Sequence, residues 1–373
     1  MRVAFYAPLK PPDHPVPSGD RRMACLLMRA IGAGGHDVFL ASRLRAFVLE
    51  ESETAQQAVR DAATAEAADL IGHWTMAPED APDLWFTYHL YYRAPDWIGP
   101  AVCEALRIPY VIAEASFAMK RAGGVWAIGH EGAERALARA DIVFSMAARD
   151  TPGLYKAEGF SADVVDLPPF TDCGARAGAA RRIADDRPAG RPPVLLAVGM
   201  MRARAKLASY RMLSEALVRI ADTPWRLQIA GDGPERAAVE RLFADFDPGR
   251  VTFLGTLDEA DLSDLYGAAD LLVWPGVDEA YGMVYLEAQA SGTPVVAMDH
   301  GGVGDVVHDG VSGRLVAAGD IEAYAHAIAA LLADPDERDR LGRTARDFVS
   351  AARSLDSAAS IINTGLAAAR KAA

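Results

Sequence analysis

Short apolar runs recur along the first half of the chain, at 2–7, 36–42, 83–88, 110–113, 141–145 and 164–167. Runs of this length and density predict strands buried on both faces of a sheet. Between them lie stretches near 20–33, 50–70, 97–106, 127–139 and 148–158, which predict helices. Gly34-Gly35 closes the first of these. The proline-rich 11–20 fits neither element. Strands alternating with helices predict a mostly parallel sheet covered on both sides.

The apolar period lapses over 171–193, a stretch rich in Arg, Ala, Gly and Pro that reads as a linker. It then restarts, with strands predicted at 194–198, 226–230, 251–254, 271–274, 295–298 and 314–316 and helix nearly to the end. The expected architecture is α/β: two Rossmann-like domains, 1–170 and 194–350, facing a central cleft. Within 351–373, Leu355, Ala358, Ile362 and Leu366 repeat at helical spacing and predict a last helix.

A chain of 373 residues, half of them hydrophobic, can bury two cores. The net charge of −13 is shared by both halves, so no overall basic field seeks nucleic acid. Cys25, Cys103 and Cys173 are odd in number and in no metal-ligand pattern, and read as free thiols in a reducing compartment. No apolar run approaches the ~20 residues of a membrane span. Met1 leads directly into the first strand, and a cytoplasmic protein is expected.

The most informative stretch is 278–293. The buried-looking run Leu271-Leu272-Val273-Trp274 stops at Pro275-Gly276, and the chain then passes Glu279 and Gly282 into a helix carrying Glu287. Parallel sheets bind ligands at the carboxyl ends of their strands, and free amides at a helix start suit phosphate. On a straight helix Glu279 and Glu287 would be about 12 Å apart. That is too far to flank one glycosidic bond, where carboxyl pairs sit roughly 5 to 10 Å apart. It suits two hydroxyl-bearing rings with a diphosphate between them, which is the layout of a sugar nucleotide.

With its surroundings, this Glu-x7-Glu pair resembles the retaining glycosyltransferases of family 4, which have the GT-B fold. The supporting residues are Ser291-Gly292-Thr293-Pro294-Val295-Val296-Ala297, His300-Gly301-Gly302, Gly231-Asp232-Gly233-Pro234, Phe253-Leu254-Gly255 and Asp309-Gly310-Val311-Ser312-Gly313. The resemblance implies a hexose moved from a nucleotide-sugar donor, a UDP- or GDP-sugar, to a hydroxyl of a glycan or glycolipid. It implies front-face displacement without metal or other cofactor, and a last helix that crosses back onto the first domain. By family analogy it fits polysaccharide, lipopolysaccharide or glycolipid synthesis and is compatible with peripheral association with the inner membrane face. Oligomeric state is left open.

Residue by residue, the resemblance puts Glu287 on the ribose hydroxyls and Glu279 on the donor sugar. The amides of Tyr281, Gly282 and Met283 then face sugar and diphosphate, and the backbone near Leu257 edges the base. Lys206 falls at the family's lysine position for the diphosphate. The family's arginine position holds Met200, so Arg202 or Arg204 is expected to compensate. Ser18-Gly19 stands where relatives carry a Gly-Gly loop. Where many relatives read Glu-His-Ser this chain reads Glu114-Ala115-Ser116, leaving His89, Glu114, Lys120 and Arg121 to supply polar contacts on the acceptor side. Two other readings accompany this one: a nucleotide-sugar epimerase on the same fold, and a non-catalytic binding subunit, for which Met200 and Ala115 are the reasons.

Overall fold

The computed structural model describes residues 1–174 and 190–372; of the predicted linker 171–193, residues 175–189 lie outside the described residues. The chain forms two compact units, Met1–Pro168 with the last helix from Leu355 onward, and Pro169–Ser354.

The first unit is built on a parallel sheet of β1 (Arg2–Tyr6), β2 (Asp37–Leu40), β3 (Leu84–Leu90), β4 (Tyr110–Ala115), β5 (Ile142–Ser145) and β6 (Asp163–Asp166), in the order β2-β1-β3-β4-β5-β6. Its central strands are buried on both sides, with Phe86 stacked between Phe5 at 5.7 Å and Phe144 at 6.2 Å. Ser18 caps the helix Gly19–Ala33 by accepting from the Arg21 amide at 3.2 Å. The last helix, Leu355–Ala372, lies against that helix and buries Ala358, Ile362 and Leu366.

Two predicted helices change length. The stretch 50–70 extends to Glu53–Met76, because Ser52 caps it and no Pro interrupts it. The stretch 148–158 shrinks to Thr151–Leu154, where Pro152 and Gly153 allow one turn and Gly159 takes a left-handed φ of +74°.

Under the loop after β3 sits Asp96, 1% exposed. Its Oδ2 accepts from Trp85 Nε1 at 3.2 Å, Tyr110 Oη at 2.9 Å and Thr87 Oγ1 at 2.5 Å, and its Oδ1 from the amides of Ile98 and Gly99 at 2.9 and 2.8 Å. One carboxylate thus ties two strands to the start of the helix Gly99–Leu106.

The second unit repeats the plan with β7 (Val194–Val198), β8 (Arg226–Ala230), β9 (Val251–Gly255), β10 (Leu271–Val273), β11 (Val295–Asp299) and β12 (Gly313–Ala317), in the order β12-β11-β10-β7-β8-β9. In each unit the chain works outward in both directions from one point, β1/β3 in the first and β7/β10 in the second. Loops diverge at such a switch point and open a crevice at the carboxyl ends of its strands.

Candidate functional site

In the second unit the switch point brings together the loop after β7 and the loop after β10. Gly231 and Gly233 hold the first of these down: a Cβ on either would strike the carbonyl of Gly199 or of Met201. Met201 N donates to Asp232 O at 2.9 Å, and Glu235 N donates to Met201 O at 2.9 Å. This gives the Gly-Asp-Gly-Pro turn its task, which is close backbone approach. The pinned loop leads into the helix Ala205–Arg219, which places Lys206 in its first turn. Arg204, just before the helix, has a φ of +64°.

After β10 the chain turns sharply at Gly276, with a φ of +75°, where any Cβ would meet the Tyr285 hydroxyl. Tyr285 Oη donates to Trp274 O at 3.1 Å, and Val277 N donates to Ser209 Oγ at 3.0 Å. The turn delivers Glu279, whose Oε1 accepts from both Lys206 Nζ and Trp274 Nε1, the latter at 3.1 Å. Lys206 Nζ also lies 5.7 Å from the centre of the Trp274 ring. Glu279 and Lys206 are 15% and 24% exposed, so this pair is well shielded from water yet reachable.

Gly282, at a φ of +75°, opens the helix Met283–Ala290 with no side chain capping it. Tyr285 N donates to Gly282 O at 3.1 Å, and among the described residues no side chain takes up the amides of Met283 and Val284 at the helix start. Tyr281 and Met283 are buried beside it. One turn further, Glu287 is 3% exposed and accepts from Tyr266 Oη at 2.9 Å. Neither glutamate is a solvated surface residue. The straight-helix spacing expected for them does not apply, because Glu279 precedes the helix by four residues.

Leu257 is half-buried between β9 and the helix Glu259–Ala268. Arg202 and Arg204 are exposed, with no side-chain partner among the described residues. Met200 is half-buried beside them.

The first unit carries its own cluster at the β1/β3 switch point. His89 Nδ1 lies 3.3 Å from Asp20 Oδ1 and 3.9 Å from Glu114 Oε2. Both His89 and Glu114 are left-handed, with φ of +64° and +57°. The β3–β4 register runs Tyr88 to Ala113, then Leu90 to Ala115, and passes over the two. Strained backbone of this kind clusters at functional sites. Burial alone would lower the imidazole pKa, but Glu114 and then Asp20 overcome it and hold it up at about 9. Burial pushes the Glu114 carboxyl up, while His89 pulls the other way. Asp20 is pushed up by burial, but its hydrogen bond and charge interaction with His89 prevail and lower it.

Ser18 and Gly19 stand at the helix start beside Asp20, with the Ser18 hydroxyl engaged by its own helix. Lys120 and Arg121 form the short turn Met119–Arg121 after β4; Lys120 is exposed and Arg121 half-buried.

Sequence reasoning missed Trp274 as a donor to Glu279, Tyr266 as a donor to Glu287, and Asp20 as a partner of His89. Trp274 had read as a strand end and Asp20 as a helix start, and their convergence is visible only in space. Among the described residues no group of three or more His, Cys, Asp or Glu is arranged to hold a metal ion. No described helix is long and apolar enough to cross a membrane.

The fold is GT-B. Sucrose-phosphate synthase from Thermosynechococcus elongatus superposes with a TM-score of 0.74 over all of both chains at 22% identity. Anabaena HepE in complex with UDP-glucose gives 0.68 over all of both chains at 18% identity. The sequence adds a likeness: residues 192–334 match the family model of glycosyl transferases group 1. It is 31% identical over 281 residues to the D-inositol 3-phosphate glycosyltransferase of Nocardia farcinica, a match covering 70% of this chain and 62% of that relative. The chain thus spans less than two thirds of the length of this curated relative.

Proposed function

We propose that this chain is a retaining glycosyltransferase that uses a nucleotide-sugar donor, with UDP-glucose the first to try because HepE is described in complex with it. The observation that carries the reading is the pair of shielded glutamates at the β7/β10 switch point, each already holding a neutral donor side chain and one of them facing Lys206.

Glu287, with Tyr266 fixing its carboxylate, accepts from the ribose hydroxyls. Glu279, oriented by Trp274, accepts from a hydroxyl of the sugar. Lys206, assisted by Arg202 or Arg204, neutralises charge on the departing diphosphate, and the open helix start at Gly282 adds backbone donors. The bond from the anomeric carbon to the phosphate oxygen breaks as the acceptor oxygen attacks on the same face. The acceptor proton passes to the leaving phosphate oxygen. No side chain is then needed as a base behind the sugar, and positioning with charge neutralisation supplies the rate. The first unit supplies acceptor contacts through His89, Glu114, Lys120 and Arg121. The reading needs no metal or other cofactor, and a glycan or glycolipid hydroxyl is the proposed acceptor.

The test is the product's configuration, read by proton NMR while an α-linked donor such as UDP-glucose is consumed with and without a panel of sugar acceptors. The expected first product, transferred or hydrolysed, is the α-anomer, formed equally well with a metal chelator present. A β-anomer as first product overturns retention. An isomerised free sugar with no acceptor dependence turns the reading to an epimerase.

A further inference from the structure

Two half-buried arginines of the first unit, Arg93 and Arg121, have no side-chain hydrogen-bond partner among the described residues. The part-exposed Arg60, Arg139, Arg191, Arg236 and Arg314 each face a carboxylate. Among the described residues Arg93 and Arg121 face none, although the chain carries more acidic than basic residues. Their Nε atoms are shut off from solvent and have no hydrogen-bond partner. Folded chains seldom leave such donors unused.

What holds them is aromatic. Arg93 Cζ lies 4.7 Å from the centre of the Trp126 ring and 5.7 Å from that of Tyr92, and Arg121 Cζ lies 5.2 Å from the same Tyr92 ring. Tyr92 and Trp126 meet edge to face at 5.3 Å. Rings fix the position of a guanidinium but accept none of its in-plane N–H groups. The gap beside Arg93 and Tyr92, lined also by Gln56, Val59, Trp97 and Gly129, has no room for a water molecule. The two side chains are only half-buried, so their outer N–H groups can be reached from solvent.

We propose that Arg93 and Arg121, on the platform of Tyr92 and Trp126, form a subsite for an oxyanion, a phosphate monoester or a carboxylate, carried by the acceptor. The planar forks of two guanidinium groups match such a group, and no protein carboxylate occupies them. The place is apt: Arg93 follows β3 and Arg121 follows β4, at the ligand-binding edge of the sheet. A series of rings joins the subsite to the charged cluster, Tyr92 to Tyr91 at 5.6 Å and Tyr91 to His89 at 5.3 Å. Only the word acceptor rests on the transferase reading; the anion site stands on its own geometry.

The test titrates inorganic phosphate, glucose 6-phosphate and glucuronate into the full chain carrying Lys206→Ala, a background that weakens phosphate binding at the donor site. Saturable binding by a phosphate or by the carboxylate is expected, and the two arms identify the anion. Arg93→Gln and Arg121→Gln should each weaken it about tenfold or more. Arg93→Lys, which keeps the charge but loses the fork, should fall in between and serves if Arg93→Gln does not fold. Absence of saturable binding by all three probes, or equal binding in a folded double variant, overturns the subsite. With Lys206 intact, the thermal shift caused by UDP-glucose should not change in Arg93→Gln. If that shift is absent in every form while anions still bind, the transferase reading fails and the subsite remains.

Discussion

Lys206→Ala and Glu279→Ala are each expected to slow turnover of the nucleotide sugar by roughly 10²- to 10³-fold, the usual loss when one group stabilising developing charge is removed. The two side chains share a hydrogen bond at the switch point, so they act as a unit. The double variant should therefore cost about as much as the worse single one, not the product of both. Lys206→Ala should leave the fold intact, whereas Glu279→Ala strips the buried Trp274 Nε1–H of its acceptor and should cost about 1–3 kcal/mol of stability without unfolding the chain. Lys206 is 24% exposed, and Trp274 still donates to Glu279 when the lysine is gone. Lys206→Arg, which keeps the charge, should recover part of the rate. Nucleotide release under saturating donor, with thermal melting beside it, separates lost chemistry from lost fold. Near-normal turnover in both single variants would remove Glu279 and Lys206 from the site.

Asp96→Ala should be the most damaging change outside that site, lowering the stability of the first unit by on the order of 3–5 kcal/mol. Three side-chain donors, Trp85, Thr87 and Tyr110, and two amides lose their acceptor at once in a place water does not reach. Buried donors left without partners account for a large share of severe single-residue losses. Urea unfolding followed through tryptophan fluorescence is the measurement, because Trp85 touches the mutated site. A midpoint within error of the parent would show that the five donors find other partners. The consequence reaches function: the loop that Asp96 ties down begins just after His89 and carries Arg93.

Much of this was legible in the chain itself. Period and proline placement gave the α/β alternation and the strands of both sheets to within a residue or two, because parallel strands buried on both faces have a dense apolar signature. The carboxylates at 279 and 287 were legible because glycines at 276 and 282 bracket the turn between strand and helix, and both take left-handed φ. The partners were not. Trp274, Tyr266 and Asp20 are 5, 21 and 69 residues away from the groups they meet, and no local pattern reports such pairing. The short helix Thr151–Leu154 was overread because apolar spacing continued past residues that end a helix. Glu114 was picked out by its place in the Glu114-Ala115-Ser116 stretch and His89 as a polar residue to replace the missing histidine; their strained backbone, and the register that skips them, exist only once two strands lie side by side.

The central claim is that the second unit holds a nucleotide sugar on Glu287, and direct titration of UDP- and GDP-sugars into the folded chain tests it. One donor should bind saturably. Glu287→Gln, which keeps an acceptor for Tyr266 but loses the charge, should weaken that donor by about ten- to a hundredfold at nearly unchanged stability. Failure of every sugar nucleotide to bind, or equal binding by Glu287→Gln, would contradict it.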